Sequence, residues 1–132
     1  MSGHPLFILL CSEDHEKIQM AAMTASIAAV SERPVLVFVS MGAILPFERG
    51  LAPEKRYKGG VFSPILKEKN APDAIELFGQ GKMLGDMTMY ACSMALDILG
   101  WEEENLTEDL FDGAMGLTKF LSDAEAGQLL TF

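Results

Sequence analysis

Sulfur and imidazole ligands are scarce in this chain, which holds two cysteines and two histidines in 132 residues. No CxxC pair or Cys/His cluster could supply the four ligands of a zinc ribbon or finger, so no metal site is expected. Basic residues are also few: ten Lys plus Arg stand against nineteen Asp plus Glu, a formal charge of −9. That balance repels phosphate backbones and anionic headgroups, and nucleic acid is not an expected partner. Long apolar runs are missing as well. The longest charge-free stretches, Ile18–Ser31 and Pro34–Phe47, are fourteen residues each, short of the ~17–25 that a spanning helix needs. No membrane span is expected. The first apolar run has no basic region before it, which argues against a secretory signal and for a reducing cytoplasmic compartment. There is no P-loop, GxGxxG turn, HExxH helix or Ser-His-Asp order, so the usual nucleotide, metalloprotease and hydrolase signatures are absent.

What is present is an ordinary globular composition, 49% apolar and 22% charged, with a mean hydropathy of +0.21. A length of 132 residues suits a single domain over the whole chain, 1–132. Pro5 to Leu10 is a continuous apolar run, as expected of a strand covered on both faces. Ser12 is a good N-cap, and Glu13, Asp14 and Glu16 would place negative charge in the first turn of a helix. Ile18, Ala22, Ala25 and Ala29 form its apolar stripe, widened by Met20, Met23 and Ile27. So broad an apolar surface suggests cover from a neighbouring subunit. Val35 to Val39 reads as a second strand, completing a βαβ unit. Residues 41–70 hold three prolines, four glycines and six of the ten basic residues. This stretch reads as a long basic loop with at most short helical turns, either solvated or a docking surface.

A helix opening at Asn70 or Pro72–Asp73 is expected to run to Met83 or Leu84, interrupted near Gly79 and Gly81. Met87 to Ala91 reads as a third strand, and Ser93 to Leu99 as a short helix closed by Gly100. Leu110–Phe111 is expected to form a fourth strand, Ala114 to Ala124 a last helix and Gln128 to Phe132 a final strand. The order implies an α/β fold in three layers, with about five mainly parallel strands and helices on both faces.

In such sheets, reactive groups gather beyond the carboxyl ends of the strands, where helix N-termini also point. Cys92 falls there. A thiol so placed faces unpaired N–H groups, which favour thiolate and suit a nucleophile or persulfide carrier. Cys11 also follows a strand and precedes a helix, so it is an auxiliary candidate, as is Ser93 beside Cys92. His15 is expected to be a solvated helix residue, and His4 terminal decoration. The nine methionines read as core filling rather than soft-metal ligands.

The segment Tyr90-Ala91-Cys92-Ser93-Met94-Ala95-Leu96-Asp97-Ile98-Leu99-Gly100 resembles the cysteine motif of the DsrE/DsrF-like (DsrEFH-like) family, in its peroxiredoxin-like-annotated branch. The likeness extends to Asp112-Gly113 and to the terminal strand. It implies a five-stranded parallel sheet, assembly as a homo-oligomer (trimer or hexamer), and a cysteine that passes on sulfane sulfur as a persulfide. That role falls on Cys92 alone, needs no cofactor, and implies a TusA-like or DsrC-like acceptor protein. The basic loop, through Arg49, Arg56 and Lys58, would then dock an acidic carrier. Two other functions fit the same residues: a non-catalytic binding or assembly module with Cys92 inert, and a thiol redox sensor pairing Cys92 with Cys11.

Overall fold

The computed structural model describes residues 3–132 and is built on five strands: β1 (Leu6–Leu10), β2 (Val35–Val39), β3 (Met87–Cys92), β4 (Gly113–Met115) and β5 (Gln128–Thr131). They form one sheet in the order β4-β3-β2-β1-β5, and every neighbouring pair is parallel. The expected α/β sheet is therefore present. Register runs straight across its centre, with Leu10 beside Val39 and Val39 beside Ala91.

Successive side chains of a strand point to opposite faces. One face, carrying Leu6, Ile8, Leu10, Val35, Val37, Met87, Met89 and Ala91, is buried throughout. Helices α1 (His15–Val30) and α4 (Ala74–Leu84) cover it and pack side by side. The other face carries Phe7, Leu9, Leu36, Phe38, Tyr90 and Cys92, and several of these are only partly covered. Helix α6 (Leu117–Ala124) lies here, its Phe120 stacked on Phe38 at 4.9 Å and edge-on to Phe7 at 6.3 Å. Eight residues do not make a stable helix alone. Burying Phe120 contributes about 1.5–3 kcal/mol to holding it in place.

Residues 41–70 take up short helical turns, as expected: a 3-10 segment over Met41–Phe47, α2 (Pro53–Arg56) and α3 (Ser63–Glu68). They are not merely a solvated excursion, because Ala43, Ile44, Phe47, Tyr57 and Ser63 are buried. Helix α5 (Ser93–Leu99) occupies its expected span and closes on Gly100 in the left-handed region at φ 69°. No helix among the described residues is long and apolar enough to cross a membrane.

Four expectations need correction. The fourth strand is not Leu110–Phe111. Those residues are apolar because Leu110 is buried and Phe111 packs edge-on against Phe47 at 5.3 Å. Pairing with β3 starts only after Asp112, whose N–H donates to the Met89 carbonyl at 2.7 Å. The last helix starts at Leu117 rather than Ala114, because Ala114 and Met115 are taken up by that pairing. The cap of α1 is Asp14, which accepts from Glu16 N–H, while the Ser12 hydroxyl accepts from Asp14 N–H one step earlier.

Finally, α4 runs through Gly79 and Gly81 without a break. Gly81 and the C-cap Gly85 serve contact with α1: a Cβ on Gly81 would lie 3.0 Å from the Ser26 Cα, and one on Gly85 would collide with the Ala29 carbonyl. Gly79 faces open space. Gly85→Ala is therefore expected to destabilise the chain by about 1–3 kcal/mol, because backbone must move. Gly79→Ala should instead stabilise it by about 0.5–1 kcal/mol through helix propensity. Urea unfolding of the two variants checks this opposition of sign.

Candidate functional site

Parallel pairing brings the carboxyl ends of β1, β2 and β3 to one edge, so Cys11, Ser40 and Cys92 follow neighbouring strand ends. Alternation turns all three toward the face of α6. They line one cavity of 390 Å³, walled by Leu9 and Phe38 from the sheet and by Gly116 and Leu117 from the start of α6. Met41, Ser93 and Met94 complete it. Cys92 is the N-cap of α5, is 4% exposed, and carries a free thiol that makes no capping hydrogen bond. Cys11 is also free, half-buried, and its thiol points to the Phe132 carbonyl at 3.5 Å. The cavity thus unites Cys92, Ser93 and Cys11.

The residues that sequence reading missed are Ser40, Met41 and the α6 entrance. A signal existed: each central apolar run ends in a small polar residue, at Cys11-Ser12, Ser40 and Cys92-Ser93. Met41 takes φ 53°, a left-handed conformation that costs a non-glycine residue about 1–2 kcal/mol.

The expected docking residues lie elsewhere on the edge. Arg49 donates to the Leu106 carbonyl at 2.9 Å and pairs with Glu108 at 3.4 Å. Arg56 pairs with Asp73 at 3.0 Å, where Asp73 also caps α4. Both guanidinium groups thus fasten the loop to the body. Lys58 is exposed and makes no side-chain bond among the described residues. With Lys55 and Arg56 it borders a larger cavity of 640 Å³. Gly42 and Leu45 separate that cavity from an apolar one of 270 Å³ beside α5, and Met41 separates the latter from the Cys92 cavity. The three form a string along one edge.

His15 is not solvated. It is 4% exposed, stacked on Tyr57 at 4.5 Å, and its Nδ1 lies 2.6 Å from the Ser63 hydroxyl. The burying groups come from 40 and more residues away, so nothing local announces them. Lys67 donates to the Tyr57 carbonyl at 2.7 Å, and the Tyr57 hydroxyl accepts from Ile75 N–H at 3.0 Å. Burial pushes the Tyr57 phenol up, further above its ordinary value of 10. Desolvation, and then the nearby Lys67 ammonium, lower the His15 pKa from its ordinary 6.5, against the opposing pull of Asp73, Asp14 and Glu16.

A depressed histidine binds its proton more readily in the unfolded chain. Its contribution to stability is present above pH 6.5 and lost as pH falls below that value toward the folded-state pKa. Thermal melts between about pH 7.5 and 5.5 are expected to fall more steeply for the native chain than for His15→Gln.

No curated protein matches this chain. Among solved structures, a protein of unknown function, MTH1491 from Methanobacterium thermoautotrophicum, is similar with a TM-score of 0.66 at 14% identity, covering 98% of this chain and 100% of its own. That likeness is one of fold. The model of the DsrE/DsrF/DrsH-like family matches residues 50–132, a span that contains β3, Cys92 and everything that follows them. With more than half of its length matched, the chain belongs to the DsrE/DsrF/DrsH-like family.

Proposed function

We propose that the chain is a cytoplasmic sulfur carrier that holds sulfane sulfur as a persulfide on Cys92 and yields it to an acceptor thiol. The observation that carries this reading is a free thiol at a strand-to-helix junction, opening on a cavity at the carboxyl edge of the sheet, inside the span matched to a sulfur-transfer family. The Cys92 thiolate attacks a sulfane sulfur, a new S–S bond forms, and the donor leaves as its own thiolate. An acceptor thiolate then takes the outer sulfur and frees Cys92. A small TusA-like or DsrC-like protein suits the acceptor role, and neither step requires a metal or organic cofactor.

Two further features support an assembled carrier. Met20, Met23, Ile27 and Val30 stand exposed along the outer side of α1, and Leu84 lies beside Val30 in a shallow groove. An apolar stripe of this extent favours association with further copies of the chain. Of the loop cations whose side chains have no partner among the described residues, Lys55 and Lys58 border the large cavity on the same edge and suit an acidic acceptor.

A disulfide sensor fits less well. Cys11 directly follows β1 and Cys92 ends β3, with β2 between them, so the strand spacing puts their Cα atoms about 9.5 Å apart. A disulfide spans at most about 7 Å between Cα atoms. The burial of Cys92 favours the competing reading of an inert thiol in a binding module, and the two readings part on a single measurement.

Intact mass spectrometry after exposure to polysulfide is expected to show a gain of about 32 Da that dithiothreitol removes. Cys92→Ser should abolish it and Cys11→Ser should leave it. An unmodified native chain would favour the module. For docking, Lys55→Glu with Lys58→Glu is expected to slow transfer to an acidic acceptor by about tenfold at low salt while loading of Cys92 stays constant. Equal transfer rates would remove the loop from that role.

A further inference from the structure

The Cys92 cavity is electrically unlike the large cavity under the loop. None of its ten lining residues is charged, and most of its wall is hydrocarbon or thioether from Leu9, Phe38, Met41, Met94 and Leu117. Only the Ser40 and Ser93 positions offer hydroxyls. The large neighbouring cavity, by contrast, is bordered by Lys55, Arg56, Lys58 and Lys67 together with Glu13, Glu48 and Glu54. The loop's cations therefore line a different chamber from the thiol.

A charged donor entering the Cys92 cavity would shed hydration and meet no opposite charge in its wall. A thiolate at Cys92 would add repulsion against an anion. An uncharged donor meets neither cost. A cavity of 390 Å³ has room for on the order of ten non-hydrogen atoms.

Resting on the persulfide reading above, we infer that the sulfur donor of this site is an uncharged, low-polarity sulfane compound, such as a small dialkyl trisulfide, and not an anion such as thiosulfate. The Cys92 thiolate attacks the central sulfur of R–S–S–S–R. One S–S bond breaks, R–S⁻ leaves, and Cys92–S–S–S–R forms. A small thiolate R–S⁻ then attacks the R-bearing sulfur, releasing R–S–S–R and leaving Cys92–S–S⁻. The net change moves one sulfur atom from trisulfide to cysteine, consumes no thiol and needs no oxidant. Donor and by-product are both uncharged.

The test uses the full-length Cys11→Ser chain at about 0.5 M salt, where long-range repulsion by the acidic surface is screened. Loading from dipropyl trisulfide with catalytic propanethiol is compared with loading from thiosulfate, each rate divided by that of the same chain unfolded in urea. A normalised preference for the trisulfide of about tenfold or more is expected. Neutral methyl methanethiosulfonate should likewise modify native Cys92 about tenfold faster than its anionic sulfonatoethyl analogue, on the same normalisation. Leu117→Lys places a cation at the cavity wall, on a residue 48% exposed, and should reduce both preferences to about threefold or less. Thiosulfate loading as fast as the trisulfide would overturn the donor assignment and leave the persulfide reading standing. Failure of both donors to load Cys92 would overturn the two together.

Discussion

Parallel pairing of β1, β2 and β3 in one unbroken register is the constraint on which the site depends. Parallel strands end on the same edge, so the residues after Leu10, Val39 and Ala91 meet there although they are scattered along the chain. The pleat then decides which way they face. A slip of one residue in β3 would turn Cys92 toward α1 and α4 and bring Ala91 to the cavity side. Asp112 holds that register from the β4 side. Its N–H donates to the Met89 carbonyl, its carboxylate accepts from Met89 N–H at 2.8 Å, and Lys82 pairs with the same oxygen. On the opposite flank, close approach at Gly81 seats α4 against the Met87 sulfur at 3.2 Å from where a Cβ would stand.

The two faces of the sheet are unequally covered, and the cavity lies on the thinner one. α1 and α4 bury their face from end to end, while α6 covers the other with eight residues and one large ring. Segments with few buried contacts open at lower free energy than the core. Access to a thiol that is 4% exposed is therefore more readily gained by movement of α6 than by any disturbance of α1 or α4. The same thin cover leaves Leu117, at the cavity wall, and also Leu121 and Leu129 exposed.

The central strands, α5 and the position of Cys92 were legible because unbroken apolar runs bounded by Gly100 and by small polar residues admit few other arrangements. The family likeness read from Tyr90 to Gly100 falls within the matched span. Local rules failed where two signals competed or where contacts came from afar. Ser12 and Asp14 are equally good caps, and the chain uses both in succession. Leu110 and Phe111 have the composition of a strand, but β4 is the three residues Gly113–Met115 that follow them. The cations of residues 41–70 read as surface, yet Arg49, Arg56 and Lys67 all donate to backbone carbonyls. A charge count cannot distinguish a guanidinium that closes a loop from one that waits for a partner.

Between the polar chamber under the loop and the apolar chamber at Cys92 stands the turn that leaves β2. Ser40 N–H is tied to the Leu10 carbonyl at 2.9 Å, and the Ser40 carbonyl accepts from Ala43 N–H at 3.2 Å. Met41, caught between those bonds, takes its left-handed conformation because both neighbours are fixed. Its side chain, half exposed, lines the Cys92 cavity and the apolar one beside α5. Gly42 and Leu45 continue the same wall to the basic chamber. The strain at Met41 thus maintains a hydrocarbon partition between a thiol and a set of lysines. Without it, ammonium groups and their water would border the thiol, and the low polarity on which the proposed choice of sulfur donor rests would be lost.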